Sequence, residues 1–400
     1  MARQGSKQRL KLQLSRVNRY SMSKLLRGLG VVVLTGTTIF FLAFLLPTVF
    51  ESTYSAPASL AEGVQIIEER VIHLDTPEPL KAIYVTSCVA GTSAWRESLK
   101  KLIETTELNA IVIDIKDYTG QVSFVETSNC FVPDLKEFIK TLHDSQIYVI
   151  GRISVFQDPA YTKLHPELAV KKKSDGEVWK DYKGLSFIDV GATPYWDYIV
   201  DISEKSYALG FDELNYDYVR YPSDGNMQDT SYTWAVGTTT KPLMLESFFS
   251  YLHENLQTYN LKTSVDLFGM TTTATTDMGI GQLLELALPY FDYVSPMVYP
   301  SHYPSTWNGF ASPAEHPYEV VKIAMTRGKE RESILNISNG LATTTVSKLR
   351  PWLQDFNLGA TYDAAKVRAQ IQATYDVGLT SWMLWNAGNK YTKEALQAQE

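Results

Sequence analysis

Cysteine is scarce in this chain of 400 residues, which has only two. Two cysteines are too few for a disulfide-stapled scaffold or a structural zinc cluster. The six histidines show no HxxxH or HxH spacing, so the ligand set of a zinc hydrolase is not indicated. The sequence also lacks a GxSxG segment, which argues against a serine-hydrolase nucleophile elbow. No metal and no cofactor are therefore implied, although acidic loops could hold a calcium ion.

Charge is absent from residues 28–50 and is unevenly distributed on either side of them. Residues 1–27 carry eight Lys/Arg and no acid, whereas residues 51–400 hold the other 29 Lys/Arg against all 44 Asp/Glu. Such an acidic body argues against nucleic acid as a partner, because phosphate binding needs a basic face. The composition, 44% hydrophobic and 20% charged, excludes disorder for most of the chain.

The uncharged stretch at residues 28–50 is long enough for a transmembrane helix, which needs about 20 apolar residues. The basic residues before it predict that residues 1–27 stay in the cytoplasm and that the body is exported. The alternative is a cleaved signal peptide, whose apolar core is normally only about 7–15 residues long. Residues 55–58 faintly resemble a cleavage site, but Pro57 fits it poorly. We therefore expect a single-pass cell-membrane protein anchored in the lipid bilayer through residues 28–50.

Residues 51–80 contain three prolines and scattered acids, which predicts a stalk with one short strand at 64–67. From residue 81 onward, short apolar runs alternate with longer amphipathic stretches. The predicted strands are 82–87, 110–116, 147–154, 213–219, 264–269, 293–299, 348–354 and 380–386. Eight strands separated by helices predict an α/β fold, a (β/α)8 TIM barrel over residues 81–400. A doubly wound open sheet is the alternative, but no Gly-rich phosphate loop follows the first strand.

The predicted helices are 94–104, 133–143, 196–209, 242–259, 281–288, 318–327 and 364–377. Gly210 and Gly378 stand where helix C-caps belong. Two long insertions, 157–186 and 224–241, follow strands and so belong to the end of a barrel where active sites are built. Within the first, residues 174–176 predict a hairpin turn.

Polar side chains alternate with apolar ones along the predicted strands, so they should point into the barrel. Asp114 has a potential partner in Lys116 or Arg152, whereas Asp217 and Asp266 end neighbouring strands with no basic partner at the same spacing. Two adjacent carboxyl groups raise one of their two pKa values, and glycoside hydrolysis uses such a pair. A carboxyl separation of about 5–5.5 Å indicates retention of configuration, and about 6.5–9.5 Å indicates inversion.

Aromatic residues are frequent at the strand ends and in the loops that follow them. Their flat rings could stack on the apolar faces of sugars, and the alternative interpretation is ordinary core and rim packing. They are Tyr118, Tyr218, Tyr221, Tyr299, Tyr303, Trp307, Trp352, Trp385 and Tyr391. His302 is the histidine that directly follows a predicted strand and could line the site or lie on the surface. Cys88 and Cys130 each follow a strand, and export would allow them to pair.

The strand-end motifs together resemble a family of glycosyl hydrolase-like barrels catalogued as a domain of unknown function. The matching segments are IVIDIKDYTG (111–120), GFDELNYDYVRYPSDG (210–225), VDLFG (265–269), YVSPMVYPSHY (293–303), LRPWLQDF (349–356) and WMLWNAGNKY (382–391). The resemblance covers essentially all of residues 81–391 and implies a barrel with glycosidase activity.

A second, fainter likeness is to chitinase-type barrels. Parts of the motifs of those enzymes are matched here by residues 210–212, residues 297–299, Trp385 and Asp217. Their catalytic Glu has no counterpart, because Tyr218-Val219-Arg220 stands in its place, and Pro300 replaces an Asp. The substrate-assisted chitinase mechanism and chitin as substrate are therefore not carried over.

The leading hypothesis is a membrane-anchored glycoside hydrolase acting outside the cytoplasm on a polysaccharide of the cell wall or capsule. The candidate catalytic residues are Asp217 as nucleophile or base, Asp266 as its partner and Asp114 in reserve. The candidate substrate-binding residues are Asp117, which is also a reserve acid, Arg152, Asn215, Tyr299, His302, Trp352 and Trp385. The alternatives are a non-catalytic glycan-binding barrel and a scaffold without a cleft, and no oligomeric state is predicted.

Overall fold

The structure, a computed structural model, describes residues 71–234, 239–341 and 346–399. Val71–Glu400 forms one compact unit, which begins ten residues before the predicted barrel domain. The predicted cytoplasmic tail, the anchor at residues 28–50 and the strand at 64–67 lie outside the described residues. Within the described part of the chain, no helix is both long and apolar enough to cross a bilayer.

The strands are β1 Lys81–Val85, β2 Ala110–Lys116, β3 Tyr148–Ser154, β4 Lys171–Lys172, β5 Glu213–Asp217, β6 Thr230–Ser231, β7 Lys262–Phe268, β8 Tyr293–Met297, β9 Trp352–Gln354 and β10 Trp382–Trp385. Eight of them are parallel and close into a barrel in the order β1-β10-β9-β8-β7-β5-β3-β2. Each predicted strand overlaps one strand of the barrel, so the α/β barrel is confirmed. β4 and β6 form a separate antiparallel pair in the two insertions.

The helices include α1 Ser87–Ala90, α2 Ser93–Glu104, α3 Leu135–Asp144, α4 Pro159–Leu164, α5 Thr193–Leu209, α6 Lys241–Leu256, α7 Leu284–Ala287, α8 Pro317–Ser338 and α9 Ala364–Asp376. Gly210 ends α5 at φ +113°, where a Cβ atom would lie 3.1 Å from the side chain of Ile139. That backbone conformation favours glycine, and the predicted cap is confirmed.

The predicted end of α8 at residue 327 is wrong, because the helix continues to Ser338. The sequence becomes highly charged there, which obscures the apolar pattern. Tertiary bonds hold this part instead: Glu332 is buried and accepts hydrogen bonds from the backbone of Lys348 at 2.7 Å and from Ser347. Arg331 forms an ion pair with Glu285 at 2.6 Å.

A bulge in β2 separates two charges that the alternation pattern places on one face. Asp114 pairs in register with Arg152, but Lys116 pairs with Ile153, so one residue of β2 is extra. Lys116 consequently forms a buried ion pair with Asp158 at 2.8 Å and donates to the carbonyl of Ser154 at 2.6 Å. Lys116 is therefore not available to Asp114, and the first of the two partners that the sequence offered Asp114 is excluded.

The first insertion folds as the predicted hairpin. The backbone N–H of Lys172 donates to the carbonyl of Glu177 at 2.8 Å, and Gly176 occupies the turn with φ +78°. Trp179 in the returning arm is buried and donates to the carbonyl of Asn226 at 3.0 Å. The two insertions thus pack on each other after β3 and β5.

Cys88 and Cys130 form a disulfide bond that closes a loop of 42 residues. Cys88 lies in α1 after β1, and Cys130 lies in the loop between β2 and α3. The pairing that the sequence left open is therefore present.

Candidate active site

A cavity of about 360 Å³ opens where β5, β7, β8 and β10 end. This is the end of a TIM barrel at which enzymes of this fold place their active sites. Its charged lining residues are Arg152, Asp217 and Arg220. Its aromatic and apolar lining includes Tyr218, Phe268, Met270, Met297, Tyr299, Tyr303 and Trp385, with His302 beside them.

Arg152 is the electrostatic centre of the cavity floor. It rises from β3, and its buried guanidinium donates through Nη1 to Oδ1 of Asp114 at 2.7 Å and through Nη2 to Oδ2 of Asp217. Its Nε atom lies 3.9 Å from Oδ2 of Asp266. Burial opposes its charge, but these carboxylates, Asp217 foremost, raise the pKa of Arg152 well above its usual value. One cation therefore serves carboxyl groups from three strands.

The expectation that Asp217 and Asp266 have no basic partner is wrong. In the strand register Arg152 lies opposite Asn215 on β5, which is two residues before Asp217. The arginine side chain is long enough to reach both Asp217 and Asp266. The spacing of residues along one strand does not show how far a side chain extends toward a neighbouring strand. The two acids differ in their access to the cavity, however, because Asp217 lines it.

Asp266 lies behind Asp217 and does not itself line the cavity, contrary to expectation. Its Oδ1 atom accepts hydrogen bonds from Asn215 and from the indole Nε1 of Trp352, both at 2.8 Å. Burial and the nearby charge of Asp217 raise the pKa of Asp266 to about 8, against the opposing effect of Arg152. The raised pKa favours the protonated form of Asp266 near neutral pH.

Asp114, the reserve acid, is also buried beneath the cavity. It accepts a hydrogen bond from the hydroxyl of Tyr84 on β1 as well as from Arg152. Burial raises the pKa of Asp114 although Arg152 opposes the change. The pairing of Asp114 with Arg152, one of two that the sequence allowed, is confirmed.

Trp385 forms an aromatic wall of the cavity at the end of β10. One face of its ring stacks on Tyr84, with centroids 3.9 Å apart and an interplanar angle of 20°. The guanidinium of Arg152 lies 4.9 Å from the ring centroid. These contacts hold the indole in one orientation, as a sugar-stacking platform requires.

Tyr218 follows Asp217 in a left-handed backbone conformation, with φ +53°. A non-glycine residue there is strained, and such strain clusters at functional sites. The turn brings the N–H of Tyr218 to 2.5 Å from Oδ1 of Asp217. Asp217 is thus held by Arg152 through one oxygen and by the backbone through the other.

Tyr299 and His302, both predicted for substrate binding, line the cavity. The hydroxyls of Tyr299 and Tyr303 are buried and have no hydrogen-bond partner among the described residues. Burial lowers the pKa of His302, so its imidazole is neutral at pH 7. Gly269 lies against this wall, where a Cβ atom would come within 2.5 Å of the Met297 carbonyl.

The remaining predicted binding residues are not in the cavity lining. Asn215 and Trp352 are buried and donate to Asp266, so they support the acid. Asp117 accepts from the backbone of Thr119 at 2.8 Å in the turn after β2. No group of three or more His, Cys, Asp or Glu side chains suited to a metal ion occurs within the described ranges.

Sequence reasoning missed Tyr84 and undervalued Arg220. Tyr84 belongs to the inward face of β1, and the alternation of that strand was a signal for it. In the sequence Arg220 stands out only as part of the triplet that replaces the chitinase glutamate, but it follows the strained turn at Tyr218 and lines the cavity. No sequence signal marks that turn.

Residues 82–391 match the family described as "Putative glycosyl hydrolase domain". The chain belongs to this family. The match spans every strand of the barrel, and it agrees with the resemblance carried by the strand-end motifs. This glycosyl hydrolase family member has no match among curated proteins.

Two of the following solved structures, with TM-scores above 0.5, share the fold of this glycosyl hydrolase family member. The glycoside hydrolase domain of PgaB (BpsB) from Bordetella bronchiseptica is 11% identical, with a TM-score of 0.55 over 80% of this chain and 100% of that one. Alpha-L-fucosidase isoenzyme 2 from Paenibacillus thiaminolyticus is 12% identical, with a TM-score of 0.54 over 79% of this chain and 48% of that one. A hypothetical protein from Ruminiclostridium thermocellum ATCC 27405 is 30% identical, with a TM-score of 0.41, over 45% of this chain and 96% of that one.

Proposed function

We propose that this protein is a membrane-anchored, extracytoplasmic glycoside hydrolase that cleaves a polysaccharide of the cell wall or capsule. Membership of the glycosyl hydrolase family supports the reaction class. The observation that carries the assignment to this site is that Asp217 lines the cavity while the protonated Asp266 lies behind it. Two carboxyl groups held in different protonation states are what acid–base cleavage of a glycosidic bond requires.

Hydrolysis adds water across the bond between the anomeric carbon and the bridging oxygen. The water oxygen joins the anomeric carbon, and the bridging oxygen leaves with the proton that this water gives up, so the overall reaction balances. Asp217, which faces the sugar, acts as the base toward water or as the nucleophile toward the anomeric carbon. Asp266 is the proton-holding partner of the pair, and Arg152 keeps Asp217 in position through its Nη2 atom.

Aromatic and hydroxyl groups would hold the sugar over this pair. Trp385 offers a fixed indole face, and Tyr299 and Tyr303 line the cavity with hydroxyls that have no hydrogen-bond partner among the described residues. Such a cavity, mostly apolar with a few convergent polar groups, is typical of small-ligand and sugar-unit sites. The neutral His302 is a further hydrogen-bonding group on this wall.

The anchor and the location are part of the same proposal. Residues 28–50 are uncharged and follow eight basic residues, which favours a bilayer span with the barrel outside the cytoplasm. The disulfide between Cys88 and Cys130 is consistent with an oxidising compartment. We expect the intact chain to sediment with membranes and to resist carbonate extraction, with protease on intact cells cutting only the barrel side. Recovery of the intact chain in the soluble fraction would contradict the anchor.

The activity is tested with the full chain, purified in detergent, on a panel of cell-wall and capsular glycans. Release of reducing ends is expected from at least one polymer. Asp217→Asn should lower that rate by about 10³-fold or more, because the charge facing the sugar is lost. Asp201→Asn, an exposed aspartate on α5 that pairs with Lys205, is the matched control and should retain activity.

One observation favours a second candidate function, a non-catalytic glycan-binding barrel. One oxygen of Asp217 is held by Arg152 and the other by the backbone N–H of Tyr218, so both oxygens are already engaged by the protein. If the wild-type chain retains a polymer that neither it nor Asp217→Asn cleaves, the binding function replaces the hydrolase.

A further inference from the structure

Arg220 lies in the same cavity as Asp217 but differs from the other buried arginines. Arg152 and Arg350 are both paired with carboxylates, the latter with Glu213. Arg220 is also buried, yet no carboxylate oxygen of the described residues lies within 4.0 Å of its guanidinium. The charge on this cavity wall therefore has no partner at contact distance within the described part of the protein.

The guanidinium is nevertheless held firmly in place. Nη1 donates to the carbonyl of Tyr221 and to Oγ of Ser223, both at 3.1 Å. The rings of Phe268, Tyr218 and Phe187 surround the group, with centroids 4.9, 5.2 and 5.7 Å from its Cζ atom. Nε and Nη2 donate to none of the described residues, so one edge of the planar fork is free.

Such an arrangement is unfavourable without a ligand. Burial lowers the pKa of Arg220, and the charges of Asp217, Asp181 and Asp224 offset this only from a distance. A buried charge is normally paired, and an unpaired one in a cavity is a candidate for binding an opposite charge.

The rest of the cavity does not oppose an anion. Asp217 is the one carboxylate that lines it within the described ranges, and it is ion-paired with Arg152. Asp266 does not line the cavity, and burial and the charge of Asp217 raise its pKa. The hydroxyls of Tyr299 and Tyr303 belong to the same lining and have no partner among the described residues.

We infer that Arg220 binds a carboxylate carried by the sugar, so that the substrate is an acidic glycan. The inference rests on the proposed function for the choice of a glycan. A planar guanidinium with one free edge matches the two oxygens of a carboxylate in a bidentate geometry. The carboxylate could belong to a uronic acid or to the lactyl group of a muramyl sugar, and the shared chemistry is the carboxylated sugar.

The test compares each acidic glycan with its carboxyl-reduced counterpart, in which the carboxylate is a neutral hydroxymethyl group. The probes are oligogalacturonate and hyaluronan oligosaccharides for uronates, and peptide-free muramyl glycan strands for the lactyl group. Affinity is measured by titration calorimetry with the full chain in detergent, in the Asp217→Asn background to prevent turnover. We expect at least one acidic probe to bind about tenfold or more tightly than its reduced form.

Arg220→Met should abolish that preference, and Arg220→Lys should keep only part of it, because lysine lacks the planar fork. Arg327→Met, which removes an exposed charge on α8, is the matched control and should leave the preference intact. Equal affinity for every acid and its reduced form, including no measurable binding of either, overturns the inference. This comparison needs no Arg220 variant, so a variant that fails to fold does not obscure the result.

The outcomes separate this inference from the proposed function. Selective binding of a carboxylated probe, without cleavage of any glycan by the wild-type chain, retains the Arg220 subsite and refutes the hydrolase. Cleavage of neutral glycans with no preference for carboxylated ones retains the hydrolase and refutes the subsite.

Discussion

Arg152 donates through Nη2 to Oδ2 of Asp217, and this ion pair forms the floor of the cavity. The same guanidinium also binds Asp114 and lies 3.9 Å from Asp266, so the three acids share one cation. A change to one of these side chains should therefore affect the others.

Replacing Arg152 with methionine should destabilise the protein by about 3–5 kcal/mol at neutral pH, because it leaves buried carboxylates without their cation. The pKa values of Asp114 and Asp266 are already raised by burial, and loss of Arg152 would raise them further. Stability from groups with raised pKa values is present at low pH and is lost as the pH rises. The destabilisation should therefore be smaller at pH 5 than at pH 8, as measured by urea unfolding.

Arg327→Met is the control for the loss of one exposed charge and should cost less than about 1 kcal/mol. Equal destabilisation of Arg152→Met at pH 5 and pH 8 would contradict a shared cation.

Asp266 should make stability depend on pH between its unfolded and folded titrations. The unfolded carboxyl loses its proton near pH 3.9, whereas the folded one keeps it to about pH 8. Within this window the folded state binds more protons, so the free energy of unfolding falls as the pH rises, by up to about 1.4 kcal/mol per pH unit. Asp266→Asn cannot titrate and should remove this contribution. Urea unfolding from pH 5 to pH 8 measures it.

The exposed Asp201→Asn variant should show the same pH profile as the wild type. If Asp266→Asn and the wild type have parallel profiles, Asp266 does not hold its proton at neutral pH.

Trp385→Leu should weaken substrate binding, because the indole face on the cavity wall is lost. We expect KM to rise roughly tenfold, with a smaller effect on kcat, since the loss concerns an aromatic contact and not the reacting carboxyl. Steady-state kinetics on the polymer cleaved by the wild type measure this. Trp95→Leu, at an exposed tryptophan of α2, should leave KM unchanged. An equal rise in KM for both variants would rule out a specific stacking role.

The disulfide should contribute to stability through the loop that it closes. In the chain-entropy model a loop of 42 residues corresponds to about 4 kcal/mol. The double variant Cys88→Ser, Cys130→Ser should therefore unfold at lower urea concentration. Reductant should have the same effect on the wild type and none on the double variant. Insensitivity of the wild type to reductant in the presence of urea would show that the bond is absent.

The barrel could be predicted because its signals are local. Within the strands, apolar residues that face the helices alternate with polar residues that face the barrel interior, and between strands the apolar residues follow a helical period. The end of α8 was missed because buried Glu332 is held by Lys348, which lies 16 residues further on. The bulge at Lys116 was missed because Asp158, its ion-pair partner, lies in another segment.

In the candidate site, alternation along the strands was enough to predict which polar residues point into the barrel and at which end they lie. Which of these charged side chains form ion pairs became clear only from the three-dimensional structure. Arg152 reaches acids on neighbouring strands, Asp266 is placed behind Asp217, and a left-handed turn at Tyr218 brings Arg220 to the cavity. The physical reason is that alternation sets the side of a strand a residue faces, whereas pairing and protonation depend on distance and burial in three dimensions.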